Sequence, residues 1–169
     1  LPESASPVAW PAGFKLTVVV PVYNEQRTVA EILARVRAVP IPKEIIVVDD
    51  HSRDGTRAVL EQLADWPELR VICKPQNEGK GAALRTGFAA ASGDVVVVQD
   101  ADLEYDPNDL PALLGPILRG EADVVYGSRY LHGEAQDPSL LHRFGNRLLT
   151  WASNLFTGLR LTDMETCYK

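Results

Sequence analysis

With 169 residues, 46% of them hydrophobic, the chain is long enough for one domain with a substantial core and too apolar for disorder. A formal net charge of -6 and the lack of any basic run exclude a stripe that tracks nucleic-acid phosphates. No apolar run approaches the ~18–20 residues of a bilayer-spanning helix, and Cys73 and Cys167 lack metal-ligand spacing, so both are expected as unpaired thiols in a reducing, cytoplasmic compartment.

Residues 1–14, with Pro2, Pro7 and Pro11, read as an irregular leader, and residues 15–169 as one domain. Because the chain stops at Lys169 straight after an apolar-polar pattern, this domain is expected to be cut short at its C-terminal end. The apolar run from Leu16 predicts a strand that Pro21 ends, since proline cannot donate to a ladder. Val29, Ile32, Leu33 and Val36 then form one stripe of an amphipathic helix, stopped by Pro40 and Pro42. Glu44 to Val48 is a second strand ending in Asp49 and Asp50, and the Ser52 to Thr56 cluster is turn and capping chemistry before a second helix. A third strand spans Arg70 to Lys74, and Asn77-Glu78-Gly79-Lys80-Gly81 leads into an alanine-rich helix.

Four consecutive valines, Val95 to Val98, predict a central strand buried on both faces. Asp100 and Asp102 follow it, two apart and so able to converge in extended backbone, a hard-oxygen pair suited to Mg2+ or Mn2+. Asp106-Pro107-Asn108-Asp109 starts a helix running to about Leu118, residues 122–127 read as a fifth strand, and Ser128-Arg129-Tyr130 stand at its end. A last helix carries Leu140, Leu141, Phe144, Leu148, Trp151, Ala152 and Leu155 at helical spacing, with Arg143 and Arg147 neighbours on one face. A core-facing stripe accounts for Leu148, Trp151 and Leu155 more simply than contact with a prenyl chain or a membrane surface.

The alternation of strands and helices implies an α/β fold, a Rossmann-like sandwich with a mostly parallel sheet and helices on both faces. All the acidic candidates then fall at carboxyl ends of strands, where such sheets bind ligands. A G-x-G-x-x-G dinucleotide signature is missing after the first strand, and Gly79-Lys80-Gly81 lacks the frame of a phosphate loop, so it reads as the turn that starts a helix. Acids at the second strand end to accept hydrogen bonds, and acids at the fourth to hold a metal on a diphosphate, describe a nucleotide-sugar site.

The motifs Val18 to Glu25, Ile46 to Thr56, Asn77 to Gly81 and Asp100-Ala101-Asp102 resemble those of family 2 glycosyltransferases with the GT-A fold. With Gly127 to Tyr130 and Thr162 to Lys169, they resemble most the dolichol-phosphate mannose synthase-like, polyprenyl-phosphate branch. The resemblance implies that Pro21, Tyr23 and Glu25 flank the nucleotide and that Val48 and Asp50 contact base or ribose. It implies Asp100, Asp102 and Ala101 at the diphosphate, with Glu104 a third carboxylate beside a Mg2+ or Mn2+ held by Asp100 and Asp102. Arg129 would meet phosphate, with Arg143 and Arg147 as further acceptor clamps, and Asp163 is the rival base. The expected reaction is inverting transfer from a GDP-mannose or UDP-glucose type donor to a polyprenyl phosphate, with Asp102, Arg129 and Asp163 as catalytic candidates. The expected setting is the cytoplasmic face of a membrane, reached by peripheral contact or by segments after Lys169. The alternatives are a family 2 transferase with a saccharide acceptor, or a nucleotide-sugar-binding domain without turnover.

Overall fold

The structure, a computed structural model, describes residues 10–128, 140–158, 161–163, 166 and 168, without the side chains of 140–144. It divides into two compact units, Leu1–Ala112 and Leu113–Lys169. The first is built on β1 (Leu16–Val22), α1 (Val29–Ala38), β2 (Lys43–Asp49), α2 (Thr56–Gln62), β3 (Leu69–Cys73), α3 (Lys80–Ala90) and β4 (Val95–Val98). The four strands are parallel, in the order β3-β2-β1-β4. Two successive crossovers add β2 and β3 on one side of β1, and the third returns across the sheet to place β4 on the other. Right-handed connections then put α1 and α2 on one face and α3 on the opposite face. Both faces are dry: Val18, Val20, Ile45 and Val47 are fully buried on one, and Val19, Ile46 and Val48 on the other.

The α3 face is closed by small residues. Ala83 packs against Ile46 and Val48, with Ile72, Ala90 and Ala91 around them. A Cβ at Gly87 would lie 2.3 Å from Val19 Cγ1, so the helix backbone rests on the strand because that position carries no side chain.

Three sequence expectations change. Pro21 does not end its strand; it lies inside β1, opposite Val48. In a parallel ladder alternate residues bond to alternate neighbours: Val22 accepts from Asp50 N–H at 2.9 Å on the β2 side, and Val19 from Gln99 N–H at 2.9 Å on the β4 side. Pro21 therefore faces β4, whose pairing stops at Val19 opposite Val98, and its missing donor is not needed there. Second, β4 is an edge of the described sheet rather than central, and Val95 and Val96 are only half-buried. Third, residues 122–127 form no ladder among the described residues; Asp123 and Val124 are exposed, and Gly127 N–H donates to the Tyr168 carbonyl at 2.9 Å.

After β4 comes a 3₁₀ turn (Pro107–Asp109), capped by the Asp106 carboxylate accepting from Asn108 N–H at 3.0 Å, and then α4 (Leu110–Leu118). The second unit contains α5 (Leu140–Thr157), whose packing is the reverse of that expected. Among its described side chains the buried ones are polar, Asn146 and Thr150, whereas Leu148, Trp151 (63%), Leu155 and Phe156 (87%) are exposed. Hydrophobic spacing marks an apolar stripe without saying which side of the helix the rest of the chain covers. Here a hydrogen-bonded chain decides it: Asn146 Nδ2 donates to Asp163 at 2.9 Å and Thr150 Oγ1 donates to Asn146 at 3.1 Å. Among the described residues no helix is long and apolar enough to cross a membrane.

Candidate functional site

A cleft of about 380 Å3 opens at the carboxyl ends of β1, β2 and β4. It is lined by Pro21, Tyr23, Glu25, Asp50, Asp100, Ala101 and Asp102, seven of the residues singled out from the sequence. Val22, Asn77, Gly79, Lys80 and Ala83 complete the wall; the sequence motif that holds Asn77, Gly79 and Lys80 carries no assigned ligand role.

Two loops form the β1 and β2 rim, and side chains stitch them together. Asn24, in the left-handed region at φ 58, donates its N–H to Ser52 Oγ at 2.9 Å, and its Oδ1 accepts from Arg53 N–H at 2.8 Å. Glu25 N–H donates to Thr56 Oγ1 at 2.9 Å, and the Glu25 carboxylate accepts from Thr28 Oγ1 at 2.7 Å. Tyr23 between them stays partly exposed on the cleft, a ring available for stacking.

The adjacent acids Asp49 and Asp50 do different work, because side chains alternate along a strand. Asp49 points to the α2 side, fully buried, accepting from Arg57 Nε at 2.6 Å and from Ser52 N–H. Asp50 points to the α3 side and gathers the start of that helix. It accepts from Gly79 N–H at 2.6 Å, from Glu78 N–H at 3.1 Å and from Lys74 Nζ at 2.8 Å. Lys74 is 7% exposed and also meets Glu78 at 2.7 Å. Burial alone would push the Asp50 carboxyl up, but the Lys74 ammonium and the two N–H donors outweigh it and hold it below the usual carboxylate range. The Lys74 ammonium, which burial would lower, is raised by the same two carboxylates. In the sequence Lys74 to Gly79 has the pattern of a strand end and a helix start; only the fold reveals it as a charged frame around Asp50.

Opposite this frame, Lys80 Nζ lies 2.6 and 2.7 Å from the two Asp100 oxygens. Beyond Asp102 the extended path assumed from the sequence gives way to a turn: Leu103 has φ 65, and Glu104 N–H donates to Asp102 Oδ1 at 3.0 Å. Glu104 is thereby carried away and does not line the cleft, and no group of three His, Cys, Asp or Glu side chains that could hold a metal occurs among the described residues. Two carboxylates open to a cleft still fit a divalent cation whose other ligands are phosphate oxygens and water, the usual arrangement for Mg2+. Val48 is wholly buried against Ala83 and belongs to the core beneath the site. Asp163 is 1% exposed, held by Asn146 in the second unit. Arg147 is exposed on α5; Arg129 and the Arg143 side chain lie outside the described residues.

Comparison with known proteins gives this cleft a context. The family model "Glycosyl transferase family 2" matches residues 17–166. The undecaprenyl-phosphate 4-deoxy-4-formamido-L-arabinose transferase of Pseudomonas fluorescens is 37% identical over 155 residues, covering 88% of this chain and 44% of the relative. The dolichol-phosphate mannosyltransferase of Pyrococcus furiosus is 38% identical over 121 residues, 70% of this chain and 34% of the relative. The chain thus spans less than half the length of these curated relatives. Among solved structures, a mannosyltransferase from Pyrobaculum calidifontis in complex with GDP-Man and Mn2+ aligns with a TM-score of 0.53 at 31% identity, over 65% of this chain and 34% of that one. With the family model covering nearly its whole length, the chain belongs to glycosyl transferase family 2, and its parallel sheet and cleft are those of a GT-A glycosyltransferase domain.

Proposed function

We propose that this chain is the donor-binding part of an inverting glycosyltransferase that moves a sugar from a nucleoside-diphosphate sugar to a lipid-linked phosphate at the cytoplasmic face of a membrane. The observation that carries the reading is the meeting of Asp100, Asp102 and Lys80 with Tyr23 and the Asp50 frame in one cleft at the strand ends. Tyr23 and Glu25 serve the nucleoside half, and Asp50 acts there through the loop it anchors. Asp100 and Asp102 would hold a Mg2+ or Mn2+ on the diphosphate. That ion would supply Lewis-acid stabilisation of the leaving group. Lys80 adds a second positive charge beside the same oxygens.

The acceptor class rests on charge and on the two polyprenyl-phosphate relatives. A phosphate monoester, with a second pKa near ~6, is already largely anionic at neutral pH and attacks without a dedicated base. It needs cationic clamping instead, the role proposed for Arg129, Arg143 and Arg147. A saccharide hydroxyl would need an accessible carboxylate, and Asp163 is buried against Asn146. The outward apolar face of α5, whose charged residues are the arginines alone, supports contact with an anionic lipid surface.

The test uses the full-length protein with a nucleotide-sugar donor, offered polyprenyl phosphate and a neutral saccharide separately. Transfer to the lipid phosphate, lost in Arg129→Ala and kept in Asp163→Asn, is the expected result. Transfer to the saccharide alone, abolished by Asp163→Asn, would replace the reading with a polysaccharide-building transferase.

A further inference from the structure

We infer that Lys80 is a built-in cation that occupies Asp100 until a nucleoside diphosphate draws it away, so that nucleotide and divalent metal load the cleft cooperatively. The inference rests on the proposed metal role of Asp100 and Asp102 and adds to it a residue that competes with the metal. Both Asp100 oxygens lie within 2.7 Å of Lys80 Nζ. At that separation one ammonium bridges the two oxygens, and a divalent ion that approaches Asp100 from the same side competes with it for those lone pairs and meets its positive charge. The Asp100 side chain is 18% exposed and the Lys80 side chain 56%, so the lysine is the partner with more open space around it. Lys80 opens α3 and lines the same cleft as Asp102, so a small swing carries its ammonium from the carboxylate to an anion bound there. Lys74, the other lysine of the region, cannot do this, being buried between Asp50 and Glu78.

Two consequences follow from charge alone. Metal without nucleotide must displace a cation from Asp100 and binds more weakly than the two carboxylates would otherwise allow. A diphosphate offers the lysine a new partner and vacates Asp100 for the metal. By reciprocity the metal raises nucleotide affinity by the same factor.

The test follows Mn2+ binding by loss of the electron paramagnetic resonance signal of the free aqua ion. It uses the full chain as wild type, Lys80→Met and Asp102→Asn, each with Mn2+ alone and with Mn2+ plus UDP or GDP. Lys80→Met is expected to bind Mn2+ alone about two- to fivefold tighter than wild type, the range set by a partly exposed ion pair. The factor by which the nucleotide strengthens Mn2+ binding is expected to be smaller in the variant. Lys80→Gln repeats the measurement with a polar side chain should the methionine disturb folding. Unchanged or weaker Mn2+ binding in both Lys80 variants, with Asp102→Asn still abolishing it, overturns the lysine role and leaves the metal site standing. Mn2+ binding indifferent to Asp102→Asn removes the metal site and the lysine role together.

Discussion

Replacing Gly87 by alanine tests whether α3, the helix that brings Gly79, Lys80 and Ala83 to the cleft, is seated directly on β1. The added methyl would sit 2.3 Å from Val19 Cγ1 and 3.3 Å from Cγ2, and Val19 is itself fully buried in a strand paired on both sides. Ordinary carbon contacts lie near ~3.5–4.0 Å, so helix or strand must move by more than about 1 Å. Overpacking of this kind costs about 1–3 kcal/mol. Alanine also favours helix over glycine by up to about 1 kcal/mol, which partly hides the clash. Gly81→Ala on the same helix separates the two effects, because its new methyl meets nothing nearer than Arg85 at 4.0 Å. The Gly87 variant is therefore expected to be less stable than the Gly81 variant by about 1–3 kcal/mol. For a chain of this size that is about 2–4 °C in Tm per kcal/mol. Urea unfolding followed by circular dichroism reads the difference, with equal slopes as the condition for comparing midpoints. Equal stability of the two variants would refute the close seating of α3 on Val19.

The Asp50 frame predicts a particular pH dependence. Its carboxyl, which burial would raise, is held below its unfolded value of ~3.9 by Lys74 and the Glu78 and Gly79 N–H groups, so its contribution is present above that pH and lost as pH falls through the folded value. Asp50→Asn should then be less stable than wild type at pH 7 with the gap closing below about pH 4; a gap constant from pH 7 to pH 3 would refute the assignment. The outward face of α5 predicts sedimentation with phosphatidylglycerol vesicles, falling about tenfold or more in a Trp151→Ser, Phe156→Ser double variant. Because both side chains face solvent, that variant should keep its urea midpoint, and undiminished sedimentation would refute lipid contact through this face.

The parts of the fold legible in the sequence were those set by short-range pattern. Runs of β-branched residues located β1 to β4, the stripe from Val29 to Val36 located α1, and Asp106-Pro107 located the turn that starts α4. Even the division of labour between Asp49 and Asp50 follows from alternation along one strand. What escaped was set by partners far along the chain. Pro21 reads as a terminator until the neighbouring ladder is seen to stop at Val98. The apolar stripe of α5 reads as core until Asn146 and Thr150 are found bonded towards Asp163, 17 residues from Asn146.

The cleft shows the same division. Its acids are legible because they end strands, whereas the cations facing them are not, since a lysine just past a strand, such as Lys74, or at a helix start, such as Lys80, is ordinary until its partner is known. Lys74 and Lys80 acquire roles only through Asp50 and Asp100, 24 and 20 residues away. Their surroundings differ because burial differs: Lys74 is 7% exposed between two carboxylates, and Lys80 is 56% exposed on the cleft. If the lysines exchanged these roles, Lys80→Met would unfold the loop that Asp50 anchors, and Lys74→Met would alter Mn2+ binding. The reverse is the expected outcome, since Lys74 shares its carboxylate with the N–H groups at the start of α3 and Lys80 shares its carboxylate with the cleft.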